Sequence, residues 1–272
     1  PKQEYEKQGD NYVVTNTIPN GKEVLHYTSD GNLISKLTST KEVNNENVTI
    51  EKTIEETYTK NPVTNTFFLG NKVTKEFNSD KSENLESHLE KSNCENYNSN
   101  GILIAKETSE STLNYSSGFN QTQSSHETKT YNYDNEGNLT GYKVNSHLNA
   151  LDVYQEETAY YKPDGTIIKR EGVTQAAGSS TKSKTTENFN ENGQKVSEIS
   201  EAIAVLDGRV FKTTQKFFNP DGSYKEIIKK ETQSATIDGK VEEEVNNYDA
   251  QGNKTAKIIN VKQNNVMHLP FK

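Results

Sequence analysis

Apolar residues are sparse along this chain and alternate with Thr, Lys, Glu, Ser and Asn. That is the period-two pattern of half-exposed β-strands, not the 3.6-residue period of a helix. It is clearest in KTTQKFF before Asn219, KVEEEVNNY before Asp249 and TKSKTTENF before Asn190. Many such segments end on an aromatic residue, and four positions later comes a glycine inside a turn-like run. The pairs are Tyr5 and Gly9, Tyr27 and Gly31, Tyr97 and Gly101, Tyr133 and Gly137, Tyr161 and Gly165, Phe189 and Gly193, Phe218 and Gly222, and Tyr248 and Gly252. YTKNP from Tyr58 and FNSDKS from Phe77 read as the same unit with the glycine lost. About ten units therefore fill residues 1–272 as one repeat domain, with the irregular region at 44–96.

The unit reads as a hairpin corner. In FFNPDGSYKEI and YYKPDGTIIKR, Pro220 and Pro163 preset the first central φ of a type I turn, and Asp221 and Asp164 tolerate the second. Gly222 and Gly165 then supply the positive φ that closes a one-residue bulge. NENG at 190–193 and NSNG at 98–101 carry the same signal without proline. Gly137, Gly193 and Gly252 are expected at positive φ for the same reason. Leu33, Leu103, Leu139, Ile167 and Tyr224 each stand two residues past a glycine, where they meet the aromatic across the turn.

Successive corners lie roughly 20 to 36 residues apart, which at about 3.3 Å per residue allows two strands of about ten residues and a second turn. Those second turns read as LDGR at Leu206–Arg209, IDGK at Ile237–Lys240, AAGSS at Ala176–Ser180 and NNEN at Asn44–Asn47. The expected fold class is all-β: a repetitive antiparallel β-hairpin meander, forming a single-layer or coiled sheet strip. SENLESHLEKS around Leu85 and Leu89 reads as either a short helix or an irregular strand.

Composition narrows the architecture. Leu, Ile, Val and Phe are 54 of the 272 residues, just under the fifth at which disorder becomes a competing expectation. A net charge of −8 is modest for this length, and a disordered chain has no need of registered turns. So polar a chain cannot fill a thick sandwich core. It suits a sheet with water on much of both faces, held by ladder hydrogen bonds and cross-strand pairs, each unit leaning on its neighbours. A transmembrane barrel needs every second strand residue apolar, which YKEIIKKETQ and KTTQKFF do not provide; mean hydropathy is −0.97. PKQEYEKQGD does not read as a signal peptide, and a start at Pro1 points to a processed product or a fragment.

YNYDNEGNLTGYK and NNYDAQGNKTAK resemble YD repeats of the Rhs and teneurin-like family. Tyr133, Asp134, Gly137, Asn138, Leu139 and Thr140 match in full, and Tyr248, Asp249, Gly252 and Asn253 in part. The resemblance implies a continuous β-strip that spirals into a hollow shell. YYKPDGTIIKREG and NFNENGQKVSE are similar, more weakly, to bacterial MORN-type hairpin repeats. The units here are longer than typical YD units, most second-strand MORN glycines are missing, and neither a self-cleaving core nor a toxin domain is evident.

Candidate chemistry is thin. His26, His88, His126, His147 and His268 are far apart in sequence and lack metal-ligand spacing. Cys94 is alone, so an internal disulfide is impossible. DNEGN at Asp134–Asn138 has the look of a calcium loop but lacks its trailing glutamate, and turn chemistry accounts for its Asp and Asn. Asn-x-Ser/Thr sequons at Asn47 and Asn120 are expected by chance in such a composition. The sequence therefore assigns no catalytic, cofactor-binding or metal-binding residue.

With pI near 5.3 and no basic stripe, neither nucleic acid nor membrane insertion is expected as a partner. The expected function is a non-enzymatic structural or interaction protein, outside the cell or on its surface. Its partners would be copies of itself or a longer parent protein, through strand edges near Glu4 and Val261 and through the apolar tail of Val266, Met267, Leu269 and Phe271. Surface proteins and glycans fit the same class. The alternative is the scaffold of a toxin or enzyme whose catalytic domain is elsewhere. The Asn- and Lys-rich composition without Trp points to an AT-rich microbial gene.

Overall fold

A computed structural model describes residues 2–81, 85–116, 121–150, 152–232 and 240–263. The chain divides into two compact units, Pro1–Leu151 and Asp152–Lys272. The first contains β1 (Gln3–Gln8), β2 (Asn11–Ile18), β3 (Gly21–Tyr27), β4 (Leu33–Val43), β5 (Thr49–Lys60), β6 (Phe67–Lys81), β7 (Leu85–Tyr97), β8 (Leu103–Ser116), β9 (Gln121–Tyr133) and β10 (Leu139–Ala150). The second contains β11 (Val153–Tyr161), β12 (Ile167–Ala176), β13 (Thr181–Phe189), β14 (Lys195–Ala204), β15 (Val210–Phe218), β16 (Tyr224–Thr232), β17 (Lys240–Tyr248) and β18 (Lys254–Gln263). Within each unit every strand pairs antiparallel with the next in sequence, from β1 with β2 to β9 with β10, and from β11 with β12 to β17 with β18. No helix occurs among the described residues, and the chain is an all-β hairpin meander.

Each unit is one layer thick: among the described residues the extensive strand contacts are all between neighbours in the chain. The core is correspondingly small. Among the described residues only Val13, Ala159, Ile203 and Asn246 are buried, so stability rests on the ladders and on side-chain rows running across the strands.

The corner geometry follows the sequence reading. In DNEGN the Asp134 N–H donates to the Asn138 carbonyl (2.9 Å) and the Gly137 N–H donates back to the Asp134 carbonyl (3.1 Å). The same reciprocal pair recurs at Thr28, Asn98, Lys162, Asn190, Asn219 and Asp249. All eight glycines have positive φ, from 64° at Gly9 to 88° at Gly165. The expected cross-turn partners are found: Tyr27 opposite Leu33, Tyr97 opposite Leu103, Tyr133 opposite Leu139, Tyr161 opposite Ile167 and Phe218 opposite Tyr224.

One regularity was not anticipated. At six of these corners the register slips by one residue on the outgoing strand, and the residue passed over is Ile34, Ile104, Thr140, Ile168, Val196 or Thr255. All six are β-branched, a type that favours the extended backbone of a strand. At the Phe218 corner Lys225 takes that place and the ladder runs on without a slip. The Thr140 and Thr255 hydroxyls donate to the Asn132 and Asn247 carbonyls, at 3.0 and 3.2 Å.

Three units depart from the expected pattern. Tyr5 faces Val14, not a residue next to the turn, and β1 joins β2 through the two residues Gly9 and Asp10. Tyr58 does hold the aromatic place, opposite Leu69, but two more pairs extend the hairpin before a turn at Asn61–Thr66. Lengthening moved the positive φ to Asn65 (59°), which is why the glycine spacing fails there. Phe77 lies inside β6, opposite Glu51 and Glu90, and marks no corner. The segment around Leu89 is strand, because β7 pairs along its length with both β6 and β8. Of the far-side turns, NNEN, AAGSS and LDGR are present, with positive φ at Asn47, Gly178 and Gly208. Ile237–Gly239 of IDGK lie outside the described residues, as do Val266, Met267, Leu269 and Phe271.

Candidate functional site

Directly opposed residues share a face of a sheet, so the register converts sequence into rows. On the face of the first unit that carries the corner aromatics, the row next to the corners reads Lys36, Glu56, Lys72, Glu95, Lys106 over five successive strands. Opposite charges alternate at every step. Lys72 lies 3.5 Å from Glu56 and Lys106 lies 3.7 Å from Glu95, while Lys36 turns to Glu23 at 2.7 Å. Such pairs contribute about 0.2–1 kcal/mol each. The Tyr97 hydroxyl donates to Glu95 (2.9 Å); burial, then this bond to a carboxylate, pushes its pKa up to about 12.

In the second unit the corner row becomes an aromatic stack. Tyr224 lies between Phe218 and Tyr248, with ring centroids 5.6 and 4.4 Å away. The Lys195 ammonium sits over Phe218 (5.4 Å) and that of Lys254 over Tyr248 (5.5 Å), capping both ends by cation–π attraction. Lys195 also bridges Glu187 and Glu198, each at 2.7 Å, and Arg170 reaches Glu187 at 3.1 Å. Burial alone would raise the Glu187 carboxyl, but Lys195 and then Arg170 outweigh it and hold it low. These rows use up much of the polar chemistry in holding the strands together.

The opposite face of the first unit is different. Phe77, Glu90, Ser111, His126 and His147 form one direct row across β6 to β10. His88 and Leu113 flank it, two pairs farther from the corners. Together with nearby Ser and Thr residues they line a concavity of about 450 Å³. Phe77 stacks on His88 (centroids 5.4 Å apart, planes at 21°) yet stays 37% exposed, and Leu113 is 40% exposed. His88 Nε2 lies 3.0 Å from a Glu86 oxygen.

Ser111 Oγ lies 2.5 Å from His126 Nδ1, and the Thr128 hydroxyl lies 2.8 Å from Nε2. Both ring nitrogens therefore meet hydroxyls, and no carboxylate orients the ring as in a serine-hydrolase triad. The pair also lies mid-strand, where flanking backbone N–H groups belong to ladders instead of an oxyanion hole. What the arrangement leaves for a ligand is the remaining capacity of the Ser111 and Thr128 hydroxyls.

Three histidines that are 21 to 59 residues apart in sequence thus share one surface. Strand register brings them there, a signal that spacing within one segment cannot contain. His26 lies on the same face but at the corner end, and His268 is outside the described residues. Among the described residues no three His, Cys, Asp or Glu side chains are grouped to hold a metal ion. Cys94 is half-buried, and Asn71 Nδ2 lies 3.4 Å from its sulfur. The Asp134 carboxylate of DNEGN accepts the Glu136 and Asn138 N–H groups and the Asn138 amide (2.9, 2.8 and 3.0 Å). The Asn138 side chain first, then backbone N–H groups, hold its pKa below the ordinary aspartate value. Asn47 stands in the β4–β5 turn, and Asn120 is outside the described residues.

No protein-family model matches this chain, and no curated protein matches it by sequence.

Proposed function

We propose that this protein is a non-catalytic assembly and display module, built to join strand edge to strand edge with copies of itself outside the cell or on its surface. One observation carries the reading: the terminal strands are open and complementary in charge. Among the described residues β1 has its ladder with β2 and β18 with β17, so each offers N–H and C=O groups along its other side. β18 contains Lys254, Lys257 and Lys262 and no acidic residue, whereas β1 contains Glu4 and Glu6 against Lys7. Ile258, Ile259 and Val261 of β18 are 56, 50 and 53% exposed, and Tyr5 of β1 is 74% exposed. A β18 edge meeting the β1 edge of another copy would continue the ladder, cover these side chains and pair opposite charges. Such a contact is head-to-tail, so it builds rings or open chains of copies. A longer parent chain that continues the ladder would use the same edges, as the YD-repeat resemblance implies.

Sedimentation velocity at increasing concentration tests this. The full chain should show concentration-dependent association that weakens with salt, and Ile259→Lys with Val261→Lys should abolish it. Val63→Lys, at a turn residue 87% exposed, should leave it unchanged. A strictly monomeric chain, or association indifferent to the β18 changes, would refute the reading. Hydrolase or transferase activity in the purified chain would refute its non-catalytic part.

A further inference from the structure

The Phe77 concavity is independent of the strand edges, and none of the rows that hold the sheet together needs a cavity there. We infer that it is a binding site for an unbranched oligosaccharide lying across β6 to β10. Four features carry this. Its volume of about 450 Å³ falls in the range of ligand sites, about 300–1,000 Å³. One aromatic plate, Phe77, is held in place by stacking on His88 yet remains exposed, and Leu113 extends the apolar floor. The C–H face of a pyranose packs on such a plate.

Around it stand the groups that hydroxyls require: the Glu90 carboxylate, the Ser111 and Ser124 hydroxyls and the His147 imidazole, with His126 holding the Ser111 hydroxyl in place. The hydroxyls and the imidazole donate and accept, while Glu90 accepts and makes the space negative, which suits a neutral polyhydroxylated ligand better than an anion. Finally, the row from Phe77 to His147 crosses five strands, about 19 Å at the usual interstrand spacing of about 4.8 Å. That is longer than one sugar ring, so the ligand is an oligomer aligned across the strands.

Both faces of the inference are open to test by NMR titration of the full chain with cellotetraose, chitotetraose, maltotetraose and tetragalacturonate. At least one neutral tetramer should bind with Kd of about 1 mM or tighter, shifting resonances of Phe77, Ser111 and His126. Phe77→Ala and Glu90→Gln should each weaken binding at least about tenfold. Lys75→Gln, two residues along β6 on the same face, should leave it unchanged. Glu90→Gln keeps size and hydrogen-bonding capacity, so it guards against a Phe77→Ala chain that fails to fold. Binding by none of the four, preference for tetragalacturonate alone, or affinity unmoved by Glu90→Gln would overturn the inference.

Discussion

Substitution at Gly252 isolates the corner geometry from everything else. Its φ is +82°, and a Cβ built there meets nothing within 4 Å. Any cost of Gly252→Ala is therefore backbone strain, about 1–2 kcal/mol for an L-residue in the left-handed region. Asn enters that region readily, and the chain places Asn47 (61°) and Asn65 (59°) there, so Gly252→Asn should cost only a few tenths of a kcal/mol. Gly137 adds a steric component, because its Cβ would lie 2.7 Å from Ile102 Cγ2 of the neighbouring corner. Gly137→Ala should then cost about 2–3 kcal/mol. Each hairpin leans only on its neighbours, so the damage should be local. Hydrogen exchange read by mass spectrometry should show Gly252→Ala speeding exchange in β17 and β18 about 5- to 30-fold, with β11 to β13 unchanged. Equal effects of Ala and Asn at 252, or a Gly137→Ala no costlier than Gly252→Ala, would refute the reasoning.

Acid should loosen the corners that use a carboxylate. The folded pKa values of Asp134 and Asp249 are lowered, first by the Asn138 and Asn253 side chains, so their contribution is present above the ordinary aspartate value and lost as pH falls through the lowered one. Asp134→Asn with Asp249→Asn should flatten that part of the stability profile in urea melts from pH 6 to 2. Alkali acts on Tyr97 in the opposite sense: its raised pKa stabilises below pH about 10 and is lost as pH rises through about 12. Tyr97→Phe should remove the last-titrating phenol from an ultraviolet titration. Thr255→Val keeps the β-branch and deletes the hydroxyl bond to Asn247; it should cost about 0.5–1 kcal/mol while retaining the bulge, as amide exchange would show.

The corners were legible because they are local chemistry. An αL residue, an Asp or Asn acceptor and a preset proline φ act within five residues, so spacing alone exposed Gly137, Gly165, Gly193, Gly222 and Gly252. The β-branched bulge residues were equally local, three places past each glycine, but their role shows only when the slip in register is seen. Tyr5 and Phe77 misled because an aromatic in a strand looks the same whether it ends a hairpin or sits inside one. Which it does depends on pairing, as with Phe77 between Glu51 and Glu90. The alternating Lys36 to Lys106 row, the Tyr224 stack and the meeting of Phe77, Glu90, Ser111, His126 and His147 belong to the tertiary structure for the same reason. Each strand contributes one residue, and shifting any strand by one place would turn its residue to the other face. Local residue chemistry set where the chain turns; the register across strands decided which side chains meet.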